Sequence, residues 1–257
     1  MSIRRSIDWL PAIVVFVSAI AIWDLAIRAF HIQQFLLPRP GAIISTFWDE
    51  RHTLWPAGWY TFKEALGGFF GGSLLGMVVA TAIGRSKVVG TALMPIAIAA
   101  NAVPIIAFAP IFDVWFNPLS PHSKMAIAGV LCFLPVMVNT LRGLQSASPR
   151  QIELMRSYAC GELEIWRRVR VPAALPFVFT ALKIASVLAM IGAIVGEYFG
   201  GSFNSLGVLI NSDANIFNFD RAWAGILVAS LLGLSLYAAV VTTERVVVRW
   251  APNGRNS

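Results

Sequence analysis

Ser148-Pro149-Arg150-Gln151-Ile152-Glu153-Leu154-Met155-Arg156-Ser157-Tyr158-Ala159-Cys160-Gly161, running on through Glu162-Leu163-Glu164-Ile165-Trp166-Arg167-Arg168-Val169-Arg170-Val171-Pro172, is the stretch on which the reading of this chain turns. It is a charged, amphipathic insert between long apolar runs. The 257 residues are 57% hydrophobic and only 13% charged, whereas soluble domains carry about 25% charged residues. Several runs approach the roughly 20 residues that cross a bilayer as a helix. They are continuous, not alternating, which excludes a β-barrel. The fold class is therefore all-α and polytopic. The insert must sit in water, and its pattern is too regular for a linker.

The net charge of +7 does not imply nucleic acid, because the basic residues lie at the ends of spans and form no stripe. Cys132 falls in an apolar run and Cys160 in the insert, a placement that suggests neither a disulfide nor a metal site. No HExxH, nucleophile elbow or GxxxxGK[ST] loop occurs, and Gly84-Arg85-Ser86-Lys87 has the wrong spacing for a phosphate loop. The chain is expected to be no enzyme and to bind no cofactor or metal. The N-terminal run after Arg4 and Arg5 lacks a small-residue cleavage site and reads as a retained span.

Six spans are predicted, at about 9–27, 62–84, 88–116, 123–140, 173–198 and 222–243. The third contains Pro95, Pro104 and Pro110 and reads as one broken crossing. Short surface helices are expected near 41–50 and 206–214. Six crossings put both termini on one side. That side carries thirteen Lys/Arg: Arg4, Arg5, Arg85, Lys87, Arg142, Arg150, Arg156, Arg167, Arg168, Arg170, Arg245, Arg249 and Arg255. The other side carries six: Arg28, Arg39, Arg51, Lys63, Lys124 and Arg221. The bias places both termini and the insert in the cytoplasm.

Within the insert, Ser148 with Gln151 suggests a capping box, and Pro149 suits the first helical position. Ile152, Met155 and Ala159 then share one helical face. Gly161 is a natural stop. A second helix from Glu162 places Leu163 and Trp166 together, and Pro172 is expected to end it. The physics admits two readings of this elbow: a docking surface for a soluble partner, or a hairpin lying on lipid phosphates.

The insert resembles the cytoplasmic loop of ABC-importer permeases, whose motif is E-A-A-x-x-x-G followed by a closing L-P. Here Glu153 matches the Glu, Leu154 and Met155 replace the alanines, Ala159 replaces the Gly, and Val169-Arg170-Val171-Pro172 matches the close. Phe35-Leu36-Leu37-Pro38-Arg39-Pro40, Ala173-Ala174-Leu175-Pro176, Ala185, Glu197-Tyr198-Phe199-Gly200 and Leu206-Gly207 resemble the nitrate, sulfonate and taurine branch. The wording at 153–159 and 197–201 is similar to its pyrimidine and riboflavin members. The resemblance spans nearly the whole chain. It implies a type I ABC importer permease: one transmembrane domain over 1–257, with a core at about 58–246 and a coupling elbow at 148–172. It sits in a bacterial inner membrane as a dimer, expected to be a homodimer. Two cytoplasmic ATPase subunits that use ATP and Mg, and a periplasmic or lipid-anchored solute-binding protein, complete the assembly. Glu153, Arg156, Ala159, Gly161, Leu163, Trp166, Arg167 and Pro172 would couple to the ATPase. Because alanine resists positive φ, Ala159 is expected to stay helical and the turn to fall at Cys160-Gly161.

Asn101 and Pro104 in the broken span, and Ser186, Gly192 and Gly196 in the fifth, are candidates for the translocation path. Gly67, Gly68, Gly71, Gly72 and Gly76, like Gly192 and Gly196, allow close packing either within the chain or at a dimer seam. Lys183 reads as snorkelling to the cytoplasmic surface or touching solute. Asp113 and Glu197 read as interfacial, or as an outer gate. The alternative function is an ion-gradient-driven transporter or channel, with Asp24 its main carboxylate.

Overall fold

The computed structural model describes residues 10–33, 36–85, 92, 95, 99 and 104–250, and among these no strand occurs. The helices are α1 (Leu10–Ala29), α2 (Pro40–Asp49), α3 (Arg51–Gly84), α4 (Ala109–Phe116), α5 (Pro121–Gln145), α6 (Pro149–Ser157), α7 (Glu162–Ile165), α8 (Val171–Phe199), α9 (Leu206–Asn215) and α10 (Phe219–Val247). Among the described residues, four helical stretches are long and apolar enough to cross a membrane: Arg51–Gly84, Pro121–Gln145, Glu162–Phe199 and Phe219–Val247. The 20 residues of α1 make a rod of about 30 Å, largely exposed apart from Ile27. It meets α10 where Trp23 and Trp223 pack with ring centroids 5.3 Å apart.

Helix α5 is the centre of the bundle, with α3 on one side and α8 on the other. Small residues make this possible. The Gly68 and Gly72 faces of α3 rest on Ala128 and Gly129 of α5, and Gly76 faces the Phe133 carbonyl. A Cβ on Gly72 would collide with the Gly129 carbonyl, whereas one on Gly71 would meet nothing within 4 Å. Gly72→Ala is therefore expected to force α3 and α5 apart and to destabilise the permease by about 1–3 kcal/mol, the cost of overpacking. Thermal melting in detergent should show a lowered midpoint for Gly72→Ala and an unchanged one for Gly71→Ala.

The two ends of the bundle differ. At one end, Gly84 of α3 approaches Leu144 of α5 and Trp166, so the elbow, the start of α8 and the end of α10 gather there. At the other end lie the Asn117–Ser120 turn and α9.

Several boundaries correct the sequence reading. The second span begins at Arg51, not 62, and runs 34 residues, about 51 Å. Pro56 lies inside it. It removes one ladder bond near the helix start, and burial of Leu54, Ala57 and Thr61 offsets that loss. Pro172 does not end a helix either: Glu162 to Phe199 is continuous. The turn Trp166–Arg170 is π-helical, and Val171 N–H reaches back to the Trp166 carbonyl. Proline normally clashes with the carbonyl four residues before it, here that of Arg168, and the widened turn makes the room. Of the third predicted span, only the 3₁₀ turn Ile105–Phe108 and α4 form described elements. The single-crossing reading of 88–116 lies largely outside the described residues.

Candidate functional site: the elbow, the buried ion network and the flank furrow

The elbow forms as α6, a turn and α7. Ser148 is extended and precedes α6, but its side chain makes no cap; the Gln151 backbone N–H bonds the Ser148 carbonyl instead. The capping box is thus absent. The turn also departs from expectation. Ala159 has φ 57°, in the left-handed region, and is not helical. Its N–H bonds the Arg156 carbonyl at 2.9 Å, and Cys160 N–H bonds the Met155 carbonyl at 3.1 Å. These two bonds close a Schellman turn with Ala159 at the residue usually given to glycine. Gly161 is ordinary extended backbone at φ −72°, ψ 162°, so the hinge lies at Ala159, where the family motif has its glycine. The alanine carries about 1–2 kcal/mol of strain. Ala159→Gly is expected to relieve most of it and to slow hydrogen exchange at Ala159 and Cys160 relative to the parent.

Arg156 reaches across the turn to Glu162 at 2.7 Å, and Arg168 pairs with Glu164 one turn earlier at 3.0 Å. Both pairs are exposed and add at most about 1 kcal/mol each. Ile165 is fully buried and anchors α7 to the body. Trp166 is half-buried under the Arg170 guanidinium, 5.8 Å from the ring centroid. Ile152 and Met155 are half-buried, while Glu153 and Arg167 are exposed. Leu154, Tyr158 and Leu163 point outward, the last two 73% and 71% exposed. The elbow therefore presents apolar side chains ringed by arginines.

Charges are buried at the opposite end. Glu197 accepts from Thr61 Oγ1 at 2.7 Å and from Gly207 N–H at 2.6 Å. Thr61 Oγ1 in turn accepts Leu206 N–H at 2.9 Å. Two otherwise unpaired N–H groups at the start of α9 are satisfied this way, with a carboxylate at the favourable end of the helix dipole. Lys124, 1% exposed, pairs with Asp113 at 2.8 Å and donates to the Pro118 carbonyl at 2.6 Å. Ser123 Oγ also donates to Asp113 Oδ1. On α9, burial pushes the Asp213 carboxyl above its usual range, and the nearby Arg221 guanidinium partly opposes that shift.

On one flank α8 and α10 part to leave a furrow. One compartment of about 480 Å³ is lined by residues that include Met190, Ile194, Tyr198, Ser230 and Gly233. A second of about 430 Å³ reaches Thr180 and Lys183, and the two share Val187 and Tyr237. Lys183 is held by Glu244 of α10 at 3.0 Å.

Residues 72–248 match the model of the binding-protein-dependent transport system inner membrane component family. The chain belongs to that family. Among its relatives, the formylaminopyrimidine transport permease of Halalkalibacterium halodurans is 32% identical, the alignment covering 96% of this chain and 98% of the relative. The riboflavin transport system permease of Chloroflexus aurantiacus is 29% identical over 89% and 85% of the two chains. The taurine transport permease of Escherichia coli is 25% identical over 77% and 71%. A crystal structure of an amino acid ABC transporter superposes with a TM-score of 0.57 at 15% identity, over 79% of this chain and 96% of that one; it shows the shared fold. The protein is an ABC importer permease, and ATP hydrolysis belongs to a partner subunit.

The fold of this permease gathers Glu153, Arg156, Ala159, Gly161, Leu163, Trp166, Arg167 and Pro172 into the elbow and the root of α8. Four of the five path candidates lie among the described residues. Asn101 lies outside the described residues. Pro104 is exposed just before the 3₁₀ turn. Gly192 faces Ala128 and Leu131, and Gly196 faces Ile127 and Lys124, all on α5. Ser186 is fully buried and donates to the Lys183 carbonyl. These three lie in intrachain packing and not on an open face of the chain. Lys183 does not snorkel freely, because it is ion-paired. Apart from Lys183, the furrow residues carried no sequence signal beyond ordinary apolar periodicity.

Proposed function

We propose that this permease works as a homodimer of six-span chains that imports a small organic solute by alternating access. Its elbow and both termini face the cytoplasm of a bacterial inner membrane. Two ATPase subunits, which use ATP and Mg, dock on the two elbows, and a periplasmic or lipid-anchored binding protein delivers the solute. The observation that carries this reading is the elbow: a water-facing unit continuous with α8, offering Leu154, Tyr158 and Leu163 to a partner. Closure of the ATPase pair would move the elbow and, through the unbroken helix Glu162–Phe199, the membrane core. The basic residues at the elbow end, Arg85, Arg142, Arg245 and Arg249 among them, support a cytoplasmic placement. The relatives named for a formylaminopyrimidine, riboflavin and taurine support a heterocycle or a small sulfonate-type anion as cargo.

The gradient-driven alternative is not favoured. Asp24, its main carboxylate, is tied to Arg28 at 2.6 Å. Reconstitution with the partner ATPase and binding protein should give uptake that requires ATP. Uptake by this chain alone, driven by an ion gradient in ATPase-free liposomes, would refute the importer reading.

A further inference from the structure

Glu64 stands on α3 one turn after Thr61 and is 3% exposed. Thr61 bonds Glu197, and the Glu64 carboxyl hydrogen-bonds the same Glu197 side chain. Two carboxyl groups make such a bond only when one of them carries a hydrogen. The surroundings assign that hydrogen to Glu64. Glu197 Oε1 accepts from Thr61 Oγ1 at 2.7 Å and Oε2 accepts from Gly207 N–H at 2.6 Å, the surroundings of an ionised carboxylate, and each oxygen keeps a second lone pair for Glu64. Glu64 lacks such donors: its buried Oε2 receives no hydrogen bond from any described residue. Lys124 acts on both carboxyls from α5, but its Nζ is engaged by Asp113 Oδ1 at 2.8 Å and the Pro118 carbonyl at 2.6 Å. A bare carboxylate at Glu64 would be buried, without a donor and beside a like charge, an arrangement that proteins neutralise with a proton.

The other titratable groups around the pair leave this assignment standing. Tyr60 of α3 and Tyr198 of α8 face it, and phenols are neutral near pH 7. Asp113 of α4 reaches it through Lys124. On α9 and α10, Asp213 and Arg221 answer to each other, with Glu50 beside them. The pair also carries a mechanical consequence. Glu197 holds Gly207 N–H directly and Leu206 N–H through Thr61, so α3, α8 and the start of α9 meet at one carboxylate.

We propose that Glu64 holds a proton and donates it in a hydrogen bond to Glu197, making a proton-dependent latch on α9 at the end opposite the elbow. With the proton in place, α9 is fastened to α3 and α8. When the latch opens, water reaches Glu64, which then ionises as an exposed glutamic acid does, near about pH 4.3. The closed state therefore binds one proton more than the open state. Rising pH favours opening, by up to about tenfold per pH unit. The latch goes beyond the importer reading and does not depend on the cargo.

The test uses the full chain in lipid nanodiscs, as the parent, Glu64→Gln and Glu64→Leu. Infrared spectra at about pH 7 are expected to show the C=O stretch of a buried neutral carboxyl in the parent that both variants lack. Hydrogen exchange at the Leu206 and Gly207 amides is then compared at pH 6 and pH 8. The residues flanking these amides are unchanged, so intrinsic exchange cancels between variants at each pH. Glutamine keeps a donor and cannot ionise. The parent is expected to lose protection relative to Glu64→Gln by roughly tenfold or more over that interval. Glu64→Leu, neutral but without a donor, should exchange faster than Glu64→Gln by the same factor at both pH values. An infrared band that survives in Glu64→Gln, or is missing from the parent, overturns the proton on Glu64. So does a Glu64→Gln chain that fails to fold, because the site would then need the negative charge. A parent-to-glutamine exchange ratio that stays flat with pH, or a leucine variant as protected as glutamine, overturns the latch.

Discussion

Leu163→Asp is expected to cut ATP-driven uptake more than tenfold while leaving the permease folded. Leu163 stands on α7 with 71% of its surface exposed, so its replacement removes little from the fold; such surface changes usually stay within about 0.5 kcal/mol. In a docked complex the same side chain would be an apolar anchor inside a ring of charges. Truncating such an anchor typically costs about 2 kcal/mol or more of binding, roughly 30-fold in affinity, and a buried aspartate adds an unpaired charge. Trp166→Asp would be a poorer test, since Trp166 is half-buried, lies under Arg170 and approaches Gly84; its loss would confuse folding with docking. The measurement is co-purification of the ATPase with the permease, together with uptake in liposomes. Leu163→Met should keep both. An aspartate variant that binds ATPase and transports like the parent would remove the elbow from the coupling path.

The elbow was legible because its signals are local. Pro149 and the helical spacing of Ile152 and Met155 act within a few residues, and helix α6 appears where they predict it. The turn was misread for an equally local reason. Propensity argues against a left-handed alanine, but the two closing hydrogen bonds to Met155 and Arg156 over-determine Ala159, and the backbone accepts the strain. The glycine rows on α3 and α8 announced close packing through their periodicity. Periodicity names a face and not its neighbour, so the placement of Gly192 and Gly196 against α5 needed the fold. The ion network was the least legible. Thr61 and Glu197 are 136 residues apart and Lys183 and Glu244 are 61 apart, and no local pattern links such partners. Read singly, Asp113 and Glu197 looked like interfacial charges and Lys183 like a snorkelling one, whereas each is tied to a group on another element.

Lys124→Met alone is expected to destabilise the permease by about 3–5 kcal/mol, the cost of leaving one buried charge without its partner. Lys124 is 1% exposed and Asp113 is buried beside it at 2.8 Å. Removing the ammonium strands the Asp113 carboxylate, whose Oδ2 already lacks a hydrogen-bond partner among the described residues. It also leaves the Pro118 carbonyl without its 2.6 Å donor. Ser123 still donates to Asp113, but one hydroxyl does not balance a full charge. Lys124→Met combined with Asp113→Leu removes both charges and fills a similar volume. Replacement of a buried pair by apolar groups is often neutral or stabilising, so the double variant should recover most of the loss. Thermal melting of the purified permease in detergent reads this as a deep drop for the single variant and a midpoint near the parent for the double. The pair joins α4 to α5 at the end where Glu197 holds α9, so its coupling energy in the double-mutant cycle measures how firmly the end opposite the elbow is tied together. A single variant that melts with the parent would mean that water or lipid headgroups reach Asp113 and that the pair is not sealed.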